Sequence, residues 1–254
     1  MTYLITGHNG FIGTNLTNFL HSKCEEVIGL DYSDCDLCEG FPGLIWDLRI
    51  DVIIHLAAET NVRDSIAYPV KTFLRNCEST INILELAREK RAKLVFISSC
   101  GARYLSSPYA ASKSAGEGIC NAYRESYNMD IVILHLPNVY GPFSLHKTSV
   151  IPNFIKSKLK GYKALIYGDG SQTRDFIYVK DVCKAIYNAE EDLKLTTGQL
   201  TSINRLAKMI GCEVEYTGAI KGELTKVTSI RNIITDYSLE QGLSETIEWF
   251  KEKL

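Results

Sequence analysis

The chain has 254 residues, 45% of them hydrophobic, and carries 28 Lys and Arg against 30 Asp and Glu, a net charge of −2 with no basic block. That length supports one large core or one domain with a small appendage, and the charge balance excludes the electrostatic footprint of a nucleic-acid binder. No apolar run approaches the length needed to span a bilayer, and the N-terminus lacks the basic start and cleavage site of a signal peptide, so a cytoplasmic protein with no membrane partner is expected.

Apolar strand-like runs alternate with longer periodic stretches through the first half. Strands are expected at 2–6, 26–31, 51–57, 93–98 and 130–136, and helices at 11–22, 67–91 and 108–127, the pattern of a doubly wound parallel (Rossmann) α/β sheet. A parallel crossover needs about a dozen residues. The stretch between Asp31 and Asp51 therefore leaves room only for a vestigial third strand at Asp36-Leu37, with 38–50 as a helical crossover. After Pro142 a helix is expected over 149–161, a strand over 164–167, a turn at 168–171, a strand over 176–179 and a helix over 180–190. A hydroxyl-capped helix starts at Thr201, and an amphipathic helix closes the chain over 243–254. The organisation expected is a dinucleotide-binding domain over 1–143, with 172–191 returning to it, and a small substrate lobe from 144–171 and 192–254. Eight cysteines are scattered through these elements. Only Cys35 and Cys38 form a C-x-x-C, with no second pair to complete a zinc site, so reduced thiols and no metal are expected.

The turn Thr6-Gly7-His8-Asn9-Gly10-Phe11-Ile12-Gly13 follows the first strand and opens the first helix. Gly7 suits a tight turn, Gly10 admits a pyrophosphate to the backbone, and Gly13 lets helix pack on strand. The free N–H groups at the helix start then face an anion. Asp31 closes the next strand about twenty residues on, where a carboxylate binds ribose hydroxyls and repels a 2′-phosphate, favouring NAD over NADP.

Strand 93–98 ends in Ser98-Ser99-Cys100, and Tyr109-Ala110-Ala111-Ser112-Lys113 follows on the next helix. Residues four apart share a helix face, so Tyr109 and Lys113 point the same way. An ammonium beside a phenol lowers the phenol's pKa, which would make Tyr109 an acid/base near neutral pH. A strand-end hydroxyl can orient the same substrate oxygen.

Together these motifs resemble the extended short-chain dehydrogenase/reductases, the NAD-dependent epimerase/dehydratase group that acts on nucleotide-sugars. The resemblance runs nearly the whole length. It takes in Gly7 to Gly13, Asp31, Ile54-His55-Leu56-Ala57-Ala58, Asn76, Ser98-Ser99, Tyr109 with Lys113, Asn138 to Pro142, Gly168 to Val182, and Gly242 through Phe250. It implies cofactor contacts from Gly7, Gly10, Phe11, Ile12, Gly13, Asp31, Asp36, Leu37, Leu56, Ala57, Ala58, Asn76, Ser98, Tyr109, Lys113 and Pro137. Asp36-Leu37 would hold the adenine and Lys113 the nicotinamide ribose. The catalytic set would be Ser99, Tyr109 and Lys113, with Ser98 and Cys100 as rivals for the orienting group. Asn138 and Arg174 would bind the nucleotide-sugar, a UDP-sugar above others, although Arg174 serves equally well as a surface ion-pair partner of Asp175 or Asp181. His135 stands where an arginine is common and reads as a packed strand-end histidine.

Departures from the family narrow the reaction. The stretch Cys100-Gly101-Ala102-Arg103 lacks the carboxylates that the family's dehydratases and decarboxylases use, whereas 4-epimerisation through a transient 4-keto sugar needs none. The expectation is therefore a UDP-hexose 4-epimerase, with a reductase, an epimerase-reductase or a non-catalytic NAD-binding protein as the alternatives. The loop between Ser99 and Tyr109 is short, and the substrate lobe lacks most of the strand before Thr201. At Ile220-Lys221-Gly222-Glu223 the family's ribose-binding arginine is replaced by Ile220, with Lys221 as a substitute. A homodimer through helices 67–91 and 108–127 is expected, with Ile81, Leu84, Ile119 and Tyr123 serving core or interface.

Overall fold

A computed structural model describes residues 1–218, 229 and 232–254. Ile220 to Glu223, and with them the question of the ribose-binding side chain, lie outside the described residues. The chain divides into two compact units, one of residues 1–136 and 183–194, the other of 137–182 and 195–254.

The first unit holds a six-stranded parallel sheet. Its strands are β1 (Thr2–Thr6), β2 (Glu26–Leu30), β3 (Val52–His55), β4 (Lys93–Ser99), β5 (Ile131–Leu136) and, later in the chain, Leu193–Lys194, in the order β2-β1-β3-β4-β5 and then that last short strand. Its helices are α1 (Phe11–Ser22), α2 (Val62–Ala67), α3 (Pro69–Lys90) and α4 (Pro108–Tyr127). The continuous apolar runs reflect burial: Leu4, Ile53, Ile54 and Leu94 are fully enclosed, and Leu84 and Leu86 of α3 pack in the same core. Apart from the segment between β2 and β3, the strand and helix expectations in this half fall within a few residues of these bounds.

The segment after β2 differs from expectation. No strand forms at Asp36-Leu37, and the sheet ends at β2. The crossover contains one short 3₁₀ turn, Gly43–Trp46, in place of a helix. Asp36 is drawn to α3, where Arg75 grips its carboxylate at 3.0 Å, and Leu37 turns into the core with its carbonyl accepting from Asn82. Once these side chains are committed to α3, the backbone is not laid along β2.

The second unit contains β6 (Asn138–Tyr140), α5 (Val150–Leu159), β7 (Ala164–Tyr167), β8 (Thr173–Tyr178), the start of α6 (Val179–Tyr187), β10 (Leu200–Ser202), α7 (Ile203–Ile210), β11 (Val214–Thr217) and α8 (Leu239–Lys251); Leu193–Lys194 of the first unit is β9. Two small sheets form, β10-β8-β6 and β11-β7. The helix expected from Thr201 starts two residues later. Thr201 pairs with Arg174 in β10, and Ser202 is the cap, its hydroxyl accepting from the Arg205 N–H at 3.2 Å. The last helix starts earlier than expected, at a capping box in which Ser238 and Gln241 each accept from the other's backbone N–H.

Candidate active site

The glycine turn is built for close approach. Gly7 has φ +72°, and a Cβ there would meet the Ala57 backbone nitrogen at 3.0 Å. A Cβ on Gly13 would stand 2.2 Å from the Gly7 carbonyl oxygen, so only glycine lets α1 start where it does. Gly10 caps α1, with no side chain bonded to the helix start and no acidic residue in the first turn. The helix start thus has no side-chain cap and no acidic charge that would oppose an anion, and the residues fit a dinucleotide pyrophosphate. Phe11 is buried beneath this turn and Ile12 is half-buried. The Asp31 carboxylate accepts from the backbone N–H of Asn9 at 3.0 Å and of Tyr32 at 2.8 Å, which holds it beside the turn. Leu56, Ala57 and Ala58 are half-buried, and the Ala57 N–H donates to Thr6 at 3.2 Å.

Two expected cofactor residues have their side chains engaged elsewhere. Asn76 accepts from the Glu59 N–H at 2.8 Å and donates to the Glu59 carbonyl at 3.2 Å and the Ser112 hydroxyl at 2.9 Å. It joins the loop after β3 to α4. Ser98 is 3% exposed and donates to Glu117 of α4.

Alternation along β4 sends Ser98 and Ser99 to opposite faces. Ser99 hydrogen-bonds the Tyr109 side chain and accepts from the Gly101 N–H at 3.1 Å, while Cys100 donates to the His135 carbonyl at 3.4 Å. Lys113 is 5% exposed, donates to the Ile97 carbonyl at 2.8 Å and stands 5.0 Å from the Phe96 ring centre. Burial pushes the Lys113 ammonium down to about 8, with Cys120 and Glu117 acting the other way.

The electrostatics of Tyr109 depart from the expectation that Lys113 lowers its pKa. Burial pushes the phenol up to about 12, with only the Ser99 hydrogen bond opposing it. The Lys113 head group is turned to the Ile97 carbonyl, so in the protein alone Tyr109 is a neutral acid. Beneath the site His55 bridges Thr6 at 2.8 Å and Thr80 at 3.4 Å, and burial, then Lys113, pushes it down to about 3, so it is a neutral linker.

In the second unit Asn138 donates to the Asp175 carbonyl at 3.1 Å, and Arg174 donates to the Thr173 carbonyl at 2.9 Å. The Asp175 carboxylate, 4% exposed, accepts from the Thr197 N–H at 2.9 Å, the Thr197 hydroxyl at 2.6 Å, the Gly198 N–H at 3.3 Å and the Ser229 hydroxyl. Asp181, in the first turn of α6, accepts from the Asp236 N–H at 2.8 Å. Pro137 opens this unit directly after β5.

Residues 3–199 match the model of the NAD dependent epimerase/dehydratase family. The chain belongs to that family. It is NAD-dependent by that membership, and it is an enzyme-family member whose relatives act on sugar nucleotides. The UDP-glucose 4-epimerase of Mycolicibacterium smegmatis is 30% identical over 311 positions, covering 100% of this chain and 99% of its own. Among solved structures, the UDP-glucose 4-epimerase of Thermotoga maritima with UDP-glucose superposes with a TM-score of 0.91 at 25% identity, covering 100% of this chain and 99% of its own. The UDP-glucose 4-epimerase of Thermus thermophilus with NAD gives a TM-score of 0.91 at 27% identity, covering 100% of both chains. Sugar-nucleotide decarboxylases and 4,6-dehydratases are also relatives, at 25–28% identity. An alignment of 311 positions against 254 residues leaves at least 57 positions of the mycobacterial enzyme without a counterpart here. Among the described residues no helix is long and apolar enough to cross a membrane, and no group of three or more His, Cys, Asp or Glu could hold a metal.

No motif in the sequence singles out Glu117, and His135, expected as a packed strand-end histidine, bonds it through Nε2 at 3.2 Å. The Glu117 signal was present: it lies four residues beyond Lys113, on the same helix face as Tyr109 and Lys113.

Proposed function

We propose that the protein is an NAD-dependent UDP-hexose 4-epimerase working through a transient 4-keto sugar. The observation that carries this reading is the hydrogen-bonded Ser99–Tyr109 pair one helical turn from the buried Lys113, in a segment, Cys100-Gly101-Ala102-Arg103, that brings no carboxylate for water loss or decarboxylation. Gly7, Gly10 and Gly13 would hold the pyrophosphate, Asp31 the adenosine ribose hydroxyls and Lys113 the nicotinamide ribose. NAD, when bound, would supply reversible storage of the C4 hydride. Tyr109 takes the proton of the C4 hydroxyl, while Ser99 holds the same oxygen. After the keto sugar has turned in the site, Tyr109 returns the proton to give the opposite configuration. The pKa of about 12 makes Tyr109 a competent proton donor in that second half.

The second unit would bind the nucleotide, with Arg174 forking onto the diphosphate and Asn138 beside it. UDP is favoured because the similar epimerases are named for UDP-sugars. A homodimer through α3 and α4 fits the apolar stripe Val70, Leu74 and Ile81 of α3, exposed by 68%, 58% and 39%, whereas Leu84 belongs to the core and Ile119 and Tyr123 pack partly against it.

Incubation with UDP-galactose, with and without added NAD(H), tests the reading. Conversion to UDP-glucose with no net change in NADH is expected. A stoichiometric NADH change would make the protein a reductase or epimerase-reductase, and inactivity on a panel of nucleotide-sugars would leave a non-catalytic NAD-binding protein.

A further inference from the structure

Three side chains one turn apart, Tyr109, Lys113 and Glu117, form a single stripe on α4 facing β4. The first two belong to the proposed chemistry. Glu117 does not, yet its carboxylate, with 22% of the side chain exposed, is the most heavily engaged of the three. Ser98 of β4 donates to one of its oxygens, and Nε2 of His135 of β5 lies 3.2 Å from the same oxygen. Nδ1 of His135 is buried with no partner. Burial raises the Glu117 carboxyl, but the hydrogen bonds from His135 and Ser98 outweigh it and hold the group below the usual carboxylate range, so it stays an anion.

The groups around Lys113 make that charge matter. From β4 come the Ile97 carbonyl and the Phe96 ring, and from β3 comes His55, which is neutral. On α4 itself Cys120 faces Lys113, but burial pushes its thiol up to about 12, so it carries no charge near neutral pH, and Tyr109 likewise stays protonated. Lys194 and His135 act on Glu117 rather than on Lys113. Among the described residues acting on Lys113, Glu117 is the one anion. An ammonium 5% exposed, with a single carbonyl as its bonded partner, otherwise sheds its proton.

We propose that Glu117 is the counter-ion of Lys113, a positioning residue fixed by Ser98 and His135 that keeps the ammonium charged where the nicotinamide ribose is held. The clause about the ribose rests on the proposed function; the pairing of charges does not.

The test is the titration of Lys113 in the cofactor-free protein, followed by NMR of ¹³Cε-labelled lysine and assigned by loss of the signal in Lys113→Met. In Glu117→Gln the midpoint is expected to fall by roughly one pH unit, and Glu117→Asp should recover part of that shift. NAD binding measured by calorimetry should lose its alkaline end at correspondingly lower pH. An unmoved midpoint in folded Glu117→Gln overturns the proposal. Should that variant fold poorly, a stability cycle decides. With the ammonium also removed, in Lys113→Met/Glu117→Gln, the melting temperature is expected to exceed the additive value, because no buried charge is left unpaired. Strict additivity would mean that Glu117 only anchors Ser98 and His135. Neither readout needs a sugar, so a shifted midpoint alongside failed epimerisation condemns the functional reading alone, and the converse condemns the counter-ion alone.

Discussion

The candidate residues of the two units are anchored differently, apart from Lys113, which bonds a backbone carbonyl as those of the second unit do. In the first, side chains bond side chains across elements: Ser99 to Tyr109, Ser98 and His135 to Glu117, Asn76 to Ser112. In the second, the candidate substrate residues bond backbone carbonyls, Asn138 that of Asp175 and Arg174 that of Thr173. A network of side chains fixes rotamers and charge states, as proton transfer within fractions of an ångström requires. On the proposed function, the difference puts proton chemistry on a sheet and its helix and nucleotide recognition on short strands.

Substitutions sharpen or break this contrast. The largest expected effect is in the first unit: Tyr109→Phe should lower kcat by roughly 10²–10⁴ while NAD binding, measured by fluorescence quenching, is retained. Full activity would remove the phenol from the mechanism. Next comes Asp175→Ala in the second unit, which strips four donors of their acceptor. A stability loss of about 2–3 kcal/mol, read as a lower denaturant midpoint, is expected with no change in NAD affinity. Loss of NAD binding in the folded variant would mean the units are not separable. The smallest is Arg174→Ala, which should raise KM for the UDP-sugar roughly tenfold and leave kcat nearly unchanged. A fall in kcat without a change in KM would place Arg174 with the chemistry instead.

What could be read from the sequence followed the reach of each signal. The glycine turn, α1, α4 and the Tyr109–Lys113 spacing are local patterns, and periodicity or steric need identifies them without knowledge of neighbours. Asp36-Leu37 read as a vestigial strand because a parallel crossover takes up the rest of that segment, but Arg75 and Asn82, some forty residues away, claim them. The stretch Thr201-Ser202 offers two hydroxyls for the expected cap, and the Arg174 register draws Thr201 into β10 and leaves Ser202 as the cap. The lowered Tyr109 pKa was a sound inference from spacing that failed on burial and on the direction of the Lys113 head group, neither of which spacing encodes. Glu117 could be placed on the α4 face, but its partners could not, since Ser98 and His135 come from strands whose adjacency only the sheet order reveals.

Asn76 has one more consequence. A single amide ties the loop after β3 and helix α3 to the residue immediately before Lys113, through three hydrogen bonds at 2.8–3.2 Å. For α4 to slip along α3 by even a fraction of a turn, the amide's bond to Ser112 would have to break while its grip on Glu59 resisted rotation. The start of α4 is therefore keyed, like a gear on a shaft, to the neighbouring helix by one residue outside the proposed chemistry.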